Sequence, residues 1–168
     1  MKEGYIFLLK VIVMDKYIKT NYHRISKDYE YELIQSKNKS LNKQLIIEMV
    51  NDLRKSNYET YMILCDYDII GFFTLCIDNY EFVPKIQCNV LKIICLYIYE
   101  PYRLRGIGTE VLNDIIWSIK NTDCNCVLVN SFVDSAMFFL KNGFDFYKRS
   151  YMDYKNKYNI ITLYKKLK

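Results

Sequence analysis

The distribution of apolar positions divides the chain into alternating helical and extended segments. Leu41, Leu45, Ile46, Met49, Val50 and Leu53 recur at helical spacing behind Ser40, a residue type suited to capping a helix N-terminus, and predict a helix opening there. Two β-rich runs, 60–65 and 69–77, flank Asp66-Tyr67-Asp68 and predict an antiparallel hairpin. Gly71 lies inside the second run, where glycine marks a bulge or a close backbone approach. Residues 89–99 are almost continuously apolar and aromatic, the pattern of a central strand covered on both faces. Beyond them Val111, Leu112, Ile115, Ile116 and Ile119 share one helix face, with Glu110 in the first turn, where the helix dipole favours an acid. A strand over 126–130, a short helix over 134–142 stopped by Gly143, and strands over 144–151 and 160–164 complete the pattern. The order is α/β with a mixed sheet, containing a strand-loop-helix-strand unit in its second half. Residues 36–43 are the most polar stretch and read as a loop; the first 20 residues carry no clear period and read as an added N-terminal strand.

Composition narrows the classes. With 168 residues, 51% hydrophobic and 26% charged, the chain is of ordinary globular composition and reads as one domain over 1–168. Five glycines and two prolines exclude collagen-like, linker-like and proline-rich disordered classes. A net charge of +5 favours anionic partners but is too small to argue nucleic-acid binding by itself. The six cysteines include no C-x-x-C pair and the chain has one histidine, so no metal site is expected and the cysteines read as small buried hydrophobes of a reducing compartment. The apolar run over 5–14 is broken by Lys10, too short for a bilayer, and lacks a small-residue cleavage site; the chain reads as cytoplasmic, with no membrane partner.

The candidate chemistry lies in Arg103-Leu104-Arg105-Gly106-Ile107-Gly108-Thr109, between the central strand and a helix. Glycines there let a ligand approach the backbone, and a helix N-terminus offers unpaired N–H groups at the positive end of its dipole. Two of the chain's five arginines flank them. Three phosphate-binding patterns compete. The G-x-x-x-x-G-K-S/T loop is absent. The dinucleotide pattern G-x-G-x-x-G fails at Val111 and comes too late in the chain. The pattern Q/R-x-x-G-x-G/A fits at Arg103, Gly106 and Gly108.

That third pattern is the acetyl-CoA loop of the GNAT acetyltransferase superfamily, and the approach to it, Leu96 to Arg103, resembles the superfamily's strand-to-loop segment, with Pro101 one place later than in many members. About 30 residues on, Phe138, Lys141, Gly143 and Phe144 match the second hallmark, A-x-x-L/F-Y-x-K-x-G-F, with Ser135 at its alanine position. The resemblance covers roughly residues 40–168 and implies a central, mostly antiparallel sheet splayed after its fourth strand and flanked by helices. It implies acetyl-CoA as acyl donor, its pantetheine arm beside Leu96, Tyr97 and Ile98, and its pyrophosphate on Arg103, Leu104, Arg105, Gly106, Ile107, Gly108 and Thr109. Asn130 and Phe139 are further candidate cofactor contacts. The reaction implied is direct acetyl transfer to an amine, with the Ile98 backbone N–H as oxyanion donor.

The chain departs from the superfamily at two side chains. The position that often holds a tyrosine acid is Phe139, which cannot donate a proton; Tyr97 and Tyr147 are the candidate replacements. The position that often holds a glutamate or tyrosine early on the central strand is Lys92, a base only if desolvated. Glu81 and Glu100 are candidate bases by residue type alone. The acceptor stays open among a peptide or protein amine, an aminoacyl-tRNA and a small-molecule amine. The stretch from Pro101 to Asn113 resembles eukaryotic protein N-terminal acetyltransferases, a resemblance that implies a peptide clamp at Tyr151 and Tyr154, and the positive charge gives weak support to RNA. The alternatives are a non-catalytic acyl-CoA-binding domain and a nucleotide-binding module; the oligomeric state is open between monomer and homodimer.

Overall fold

The computed structural model describes residues 20–24, 57–65, 68–83, 86–153 and 158–167. The helix expected behind Ser40 and the expected strand in the first 20 residues lie outside these, except for Thr20. One seven-stranded sheet runs through the described residues: β1 (Thr20–Arg24), β2 (Glu59–Cys65), β3 (Asp68–Val83), β4 (Ile86–Ile98), β5 (Cys124–Phe132), β6 (Asp145–Asp153) and β7 (Tyr158–Lys166). Their spatial order is β1-β2-β3-β4-β5-β7-β6. Every pair is antiparallel except β4–β5, which is parallel and joined through the helix α1 (Ile107–Ser118). A second helix, α2 (Val133–Lys141), follows β5. No described helix is long and apolar enough to cross a membrane, and no cluster of metal-ligating side chains occurs among the described residues.

The expected hairpin forms as β2 and β3, paired from Glu59↔Leu75 to Cys65↔Asp68; β3 and β4, longer than their apolar runs suggested, pair in turn from Gly71↔Ile98 to Val83↔Ile86. β5 follows from its own sequence: Cys126, Val127, Leu128 and Val129 are all buried, the signature of a strand covered on both faces. On one face the main core joins Ile63, Phe73, Leu91, Ile93, Val127, Val129 and Leu163 to the apolar stripe of α1 (Ile107, Val111, Leu112, Ile115) and to Ala136 and Phe139 of α2. The other face carries Phe72 with Tyr99, and Val90 with Cys126 and Leu128. Cys76, Cys124 and Cys126 are buried, while Cys65 and Cys95 are half-buried.

α2 is short and ends where Gly143 predicted. Phe144 N–H donates to the Phe139 carbonyl at 3.1 Å and Gly143 N–H to that of Leu140 at 3.0 Å. The Phe144 ring then meets Phe139 edge-on at 5.4 Å, the apolar contact that accompanies this helix stop.

Gly71 is a close approach, as its place in the strand suggested. A Cβ there would lie 2.3 Å from the Tyr97 carbonyl oxygen, a backbone atom. Gly71→Ala is expected to destabilise the fold by about 2 kcal/mol or more, read by urea unfolding. Tyr99 is 2% exposed, and its hydroxyl has no hydrogen-bond partner among the described residues. Burial, then the neighbouring Tyr97, push its phenol up to about 12 from the ordinary 10.0. The native state therefore holds this proton after the unfolded chain has released it. The associated stability is complete below pH 10 and falls as pH rises from 10 to about 12. Tyr99→Phe is expected to leave stability at pH 7 unchanged or raise it by about 1 kcal/mol, because a buried unpaired hydroxyl is removed. It should also flatten the loss between pH 10 and 12, measured as urea midpoints across pH.

Candidate active site

The site begins where the sheet divides. β4 and β5 pair from Asn89↔Cys124 to Ile93↔Val129 and no further. β4 continues to Ile98 against β3, while β5 continues through Asn130 to Phe132 against β7. A bulge coincides with the division: Ile93 opposes Leu75 and Cys95 opposes Thr74, leaving Ile94 as the extra residue. Such a bulge bends the strand and sharpens its twist, which turns the end of β4 away from β5.

Among the described residues, the open stretch of β4 has an edge without a neighbouring strand. Tyr99 N–H donates to the Ile70 carbonyl at 2.9 Å. Because strand amides alternate sides, Tyr97 also faces β3, and the N–H groups of Leu96 and Ile98 face the cleft. Of the three residues expected beside the pantetheine arm, Leu96 and Ile98 therefore turn their backbone groups to the open side and Tyr97 turns its own to β3. An extended ligand that carries amides can add to such an edge as a strand does.

A 3₁₀ turn over Glu100–Tyr102, with Pro101 in its first positions, folds the chain back toward α1. Leu104 has φ 60 and is fully exposed, and Gly106 has φ 84 and caps α1. Arg103 N–H donates to the Glu100 carbonyl, and Thr109 N–H to that of Gly106. The five N–H groups between them, Leu104 to Gly108, meet no carbonyl among the described residues. A run of unpaired N–H groups entering a helix N-terminus fits a phosphate. Around Gly108 three elements converge: a Cβ there would be 3.4 Å from the Phe138 ring of α2 and 4.0 Å from Ile98 Cγ1 of β4.

The other predicted residues take varied places. Arg103 is exposed but folds back on the strand: its Nε donates to the Ile98 carbonyl at 2.8 Å, and its guanidinium lies 5.0 Å from the centre of the Tyr97 ring. Arg105 is exposed, with its guanidinium 5.9 Å from the Tyr102 ring centre. Tyr97 stacks on Phe72 at 5.7 Å; burial raises its phenol above 10.0, and the Arg103 charge opposes the rise. Asn130 stands on β5 one residue past the last β4 pair, its side-chain oxygen accepting from Thr162 Oγ1 at 2.9 Å. Phe139 lies in the core, 6% exposed, between Phe138 and Phe144. Tyr147 packs edge-on against Tyr164 at 5.9 Å. Lys92 forms an ion pair with Asp78 at 2.6 Å, a partner not anticipated because the two lie on different strands. Glu100 is exposed at the start of the 3₁₀ turn; the side chains of Glu81, Tyr151 and Tyr154 lie outside the described residues.

A sheet divided after its fourth strand, with a glycine loop feeding a helix beside the division, is the scaffold of an acyl-coenzyme A transferase. The sequence model of the acetyltransferase (GNAT) family matches residues 20–144, three quarters of the chain, and the chain belongs to that family. Its acetyl donor is acetyl-coenzyme A. No curated relative matches the chain. Among solved structures, NAA60 of Arabidopsis thaliana in complex with a bisubstrate analogue superposes with a TM-score of 0.66 at 15% identity, covering 89% of this chain and 99% of that one. A GNAT family acetyltransferase of Elizabethkingia anophelis with acetyl-CoA bound gives 0.60 at 17% identity, covering 88% and 98%. The IAA acetyltransferase of Bacillus cereus gives 0.62 at 16%, covering 88% and 99%. At these identities the likeness is one of fold.

The two loop glycines differ in what they require. Gly106 is left-handed and faces open space, whereas a Cβ on Gly108 would make ordinary contact with Phe138. Gly106→Ala is expected to cost about 1 kcal/mol and Gly108→Ala nothing measurable, by urea unfolding. Gly106→Val is expected to weaken coenzyme A binding roughly tenfold or more in a folded protein, by calorimetry, since its side chain would enter the phosphate approach.

Proposed function

We propose that this acetyltransferase transfers the acetyl group directly to a primary amine, with the cleft edge of β4 positioning the donor and the Ile98 N–H completing the oxyanion site. The observation that carries this reading is the open edge itself: the β4–β5 pairing ends at Ile93↔Val129, while Ile98 remains held against Gly71. Acetyl-coenzyme A supplies, when bound, a thioester carbonyl open to attack. Leu96 and Ile98 supply backbone groups for its amide arm, and the N–H groups of Leu104 to Gly108, with Thr109 at the first helical turn, cradle its phosphates. Asn130, one residue past the last β4–β5 pair, is a candidate cofactor contact from the opposite strand. Phe139 closes the apolar floor behind Phe138.

The chain's own groups then meet three requirements of the reaction. An N–H of Ile98, fixed before reaction, stabilises negative charge as it grows on the carbonyl oxygen. The Tyr97 phenol, held protonated by burial, serves as the acid for the departing thiolate in place of the phenol that Phe139 lacks. The amine releases its proton to solvent. Tyr147 is the second candidate acid, and its packing against Tyr164 on the strand beyond β5 favours Tyr97.

The test is thiol release from acetyl-coenzyme A with a panel of peptide α-amines, lysine amines, an aminoacyl-tRNA and small amines. Turnover with one class identifies the acceptor. Tight coenzyme binding with no turnover on any class would instead mark an acyl-CoA-binding domain. With an accepted amine, Tyr97→Phe is expected to lower kcat by about tenfold or more. Because burial raises this phenol above 10.0, wild-type kcat should hold its acid contribution to pH 10 and lose it above that. A Tyr97→Phe rate equal to wild type would remove Tyr97 from the mechanism.

A further inference from the structure

Arg103 fits the position of a phosphate-binding arginine, yet one donor of its exposed side chain is committed to the protein's own backbone. Its Nε donates to the Ile98 carbonyl at 2.8 Å, and its guanidinium caps the Tyr97 ring at 5.0 Å. The Ile98 carbonyl and the Tyr99 N–H belong to one peptide unit. That N–H donates to the Ile70 carbonyl at 2.9 Å. The peptide is thus held at both poles, by Arg103 from the cleft side and by β3 from the other. A peptide plane tied at both ends fixes the orientation of the unit before it, and that unit carries the Ile98 N–H.

We infer that Arg103 is a positioning residue: it locks the Ile98–Tyr99 peptide so that the Ile98 N–H points into the cleft, and it removes the Ile98 carbonyl from the groups the edge offers a ligand. The open edge then presents the N–H and carbonyl of Leu96 and the N–H of Ile98, and nothing beyond them. This sets the depth to which an extended acyl-carrying arm can pair before its carbonyl reaches Ile98. The fold arranges the return: the 3₁₀ turn at Pro101, closed by Tyr102 N–H on the Tyr99 carbonyl at 2.9 Å and Arg103 N–H on that of Glu100 at 3.2 Å, brings residue 103 back beside residue 98. What the lock needs is an N–H donor at that place; the positive charge is secondary.

The inference rests on the proposed use of the Ile98 N–H in acetyl transfer, and its test separates the two. Three variants are compared: Arg103→Gln, which keeps a donor without charge; Arg103→Lys, which keeps charge without the planar donor; and Arg103→Met, which keeps neither. The readouts are amide hydrogen exchange at Tyr99, coenzyme A Kd by calorimetry, and kcat with an accepted amine. Arg103→Met is expected to speed Tyr99 exchange and lower kcat, each about tenfold or more, with Kd within about threefold. Arg103→Gln should restore both and Arg103→Lys neither. A Kd that follows charge, near wild type in Arg103→Lys and weakened about tenfold in Arg103→Gln, would make Arg103 a phosphate ligand and overturn the inference. Unchanged Tyr99 exchange in Arg103→Met would also overturn it. If Arg103→Met does not fold, the Gln and Lys variants decide by the same ordering. Wild type inactive on every amine would fail the proposed reaction, while Tyr99 exchange would still judge Arg103.

Discussion

The whole site depends on β4 keeping one partner and losing the other. Backbone amides inside a protein must be paired or solvated, and a strand that leaves its neighbour midway leaves a row of them unpaired. Here the loss falls beyond Ile93, and the four residues from Cys95 to Ile98 stay registered against β3. The division therefore creates a ligand-facing edge without loosening the strand that carries it. The bulge at Ile94 begins the departure, and Gly71, with no room for a Cβ against the Tyr97 carbonyl, lets β3 stay close through it.

Around that edge the chain concentrates aromatic and cationic groups in one place. Phe72, Tyr97, Tyr99 and Tyr102 pack together on one face of the sheet, and Arg103 lies against them. Both phenols are neutral at physiological pH, and burial extends that neutral state above pH 10. A neutral phenol can donate a proton, and it does not compete electrostatically with negative charge forming nearby. The unpaired hydroxyl of Tyr99 is a cost this packing carries, and the hydrogen bonds at either pole of the next peptide offset it.

Much of this was readable in the chain. Periodicity located α1 and its buried stripe, the β2–β3 hairpin, β5 and the helix stop at Gly143, because each is a local pattern of apolar positions or a single glycine. The glycine loop was readable for the same reason, and the order of the two hallmarks carried the family. What was not readable depends on contacts between distant residues. The end of β4–β5 pairing leaves no mark in either strand, since Ile93 and Ile94 are the same residue type on opposite sides of the division. Arg103 reads as a phosphate ligand in sequence because nothing local shows that the 3₁₀ turn returns it to Ile98. Lys92 reads as a solitary strand lysine until Asp78 is found beside it across the hairpin. The strand ends also extended beyond their apolar cores, as in β3, because cross-strand pairing continues through polar residues.

The central claim is that one ligand occupies both the open edge of β4 and the N–H cradle of α1. Amide-resolved NMR during a titration with coenzyme A tests it most directly. The account predicts that the amides of Leu96 and Ile98 and those of Leu104 to Gly108 shift together, with one saturation curve, while Tyr97 and Tyr99, which face β3, shift least within that strand. Saturable binding that shifts the loop amides and leaves Leu96 and Ile98 unmoved would contradict it.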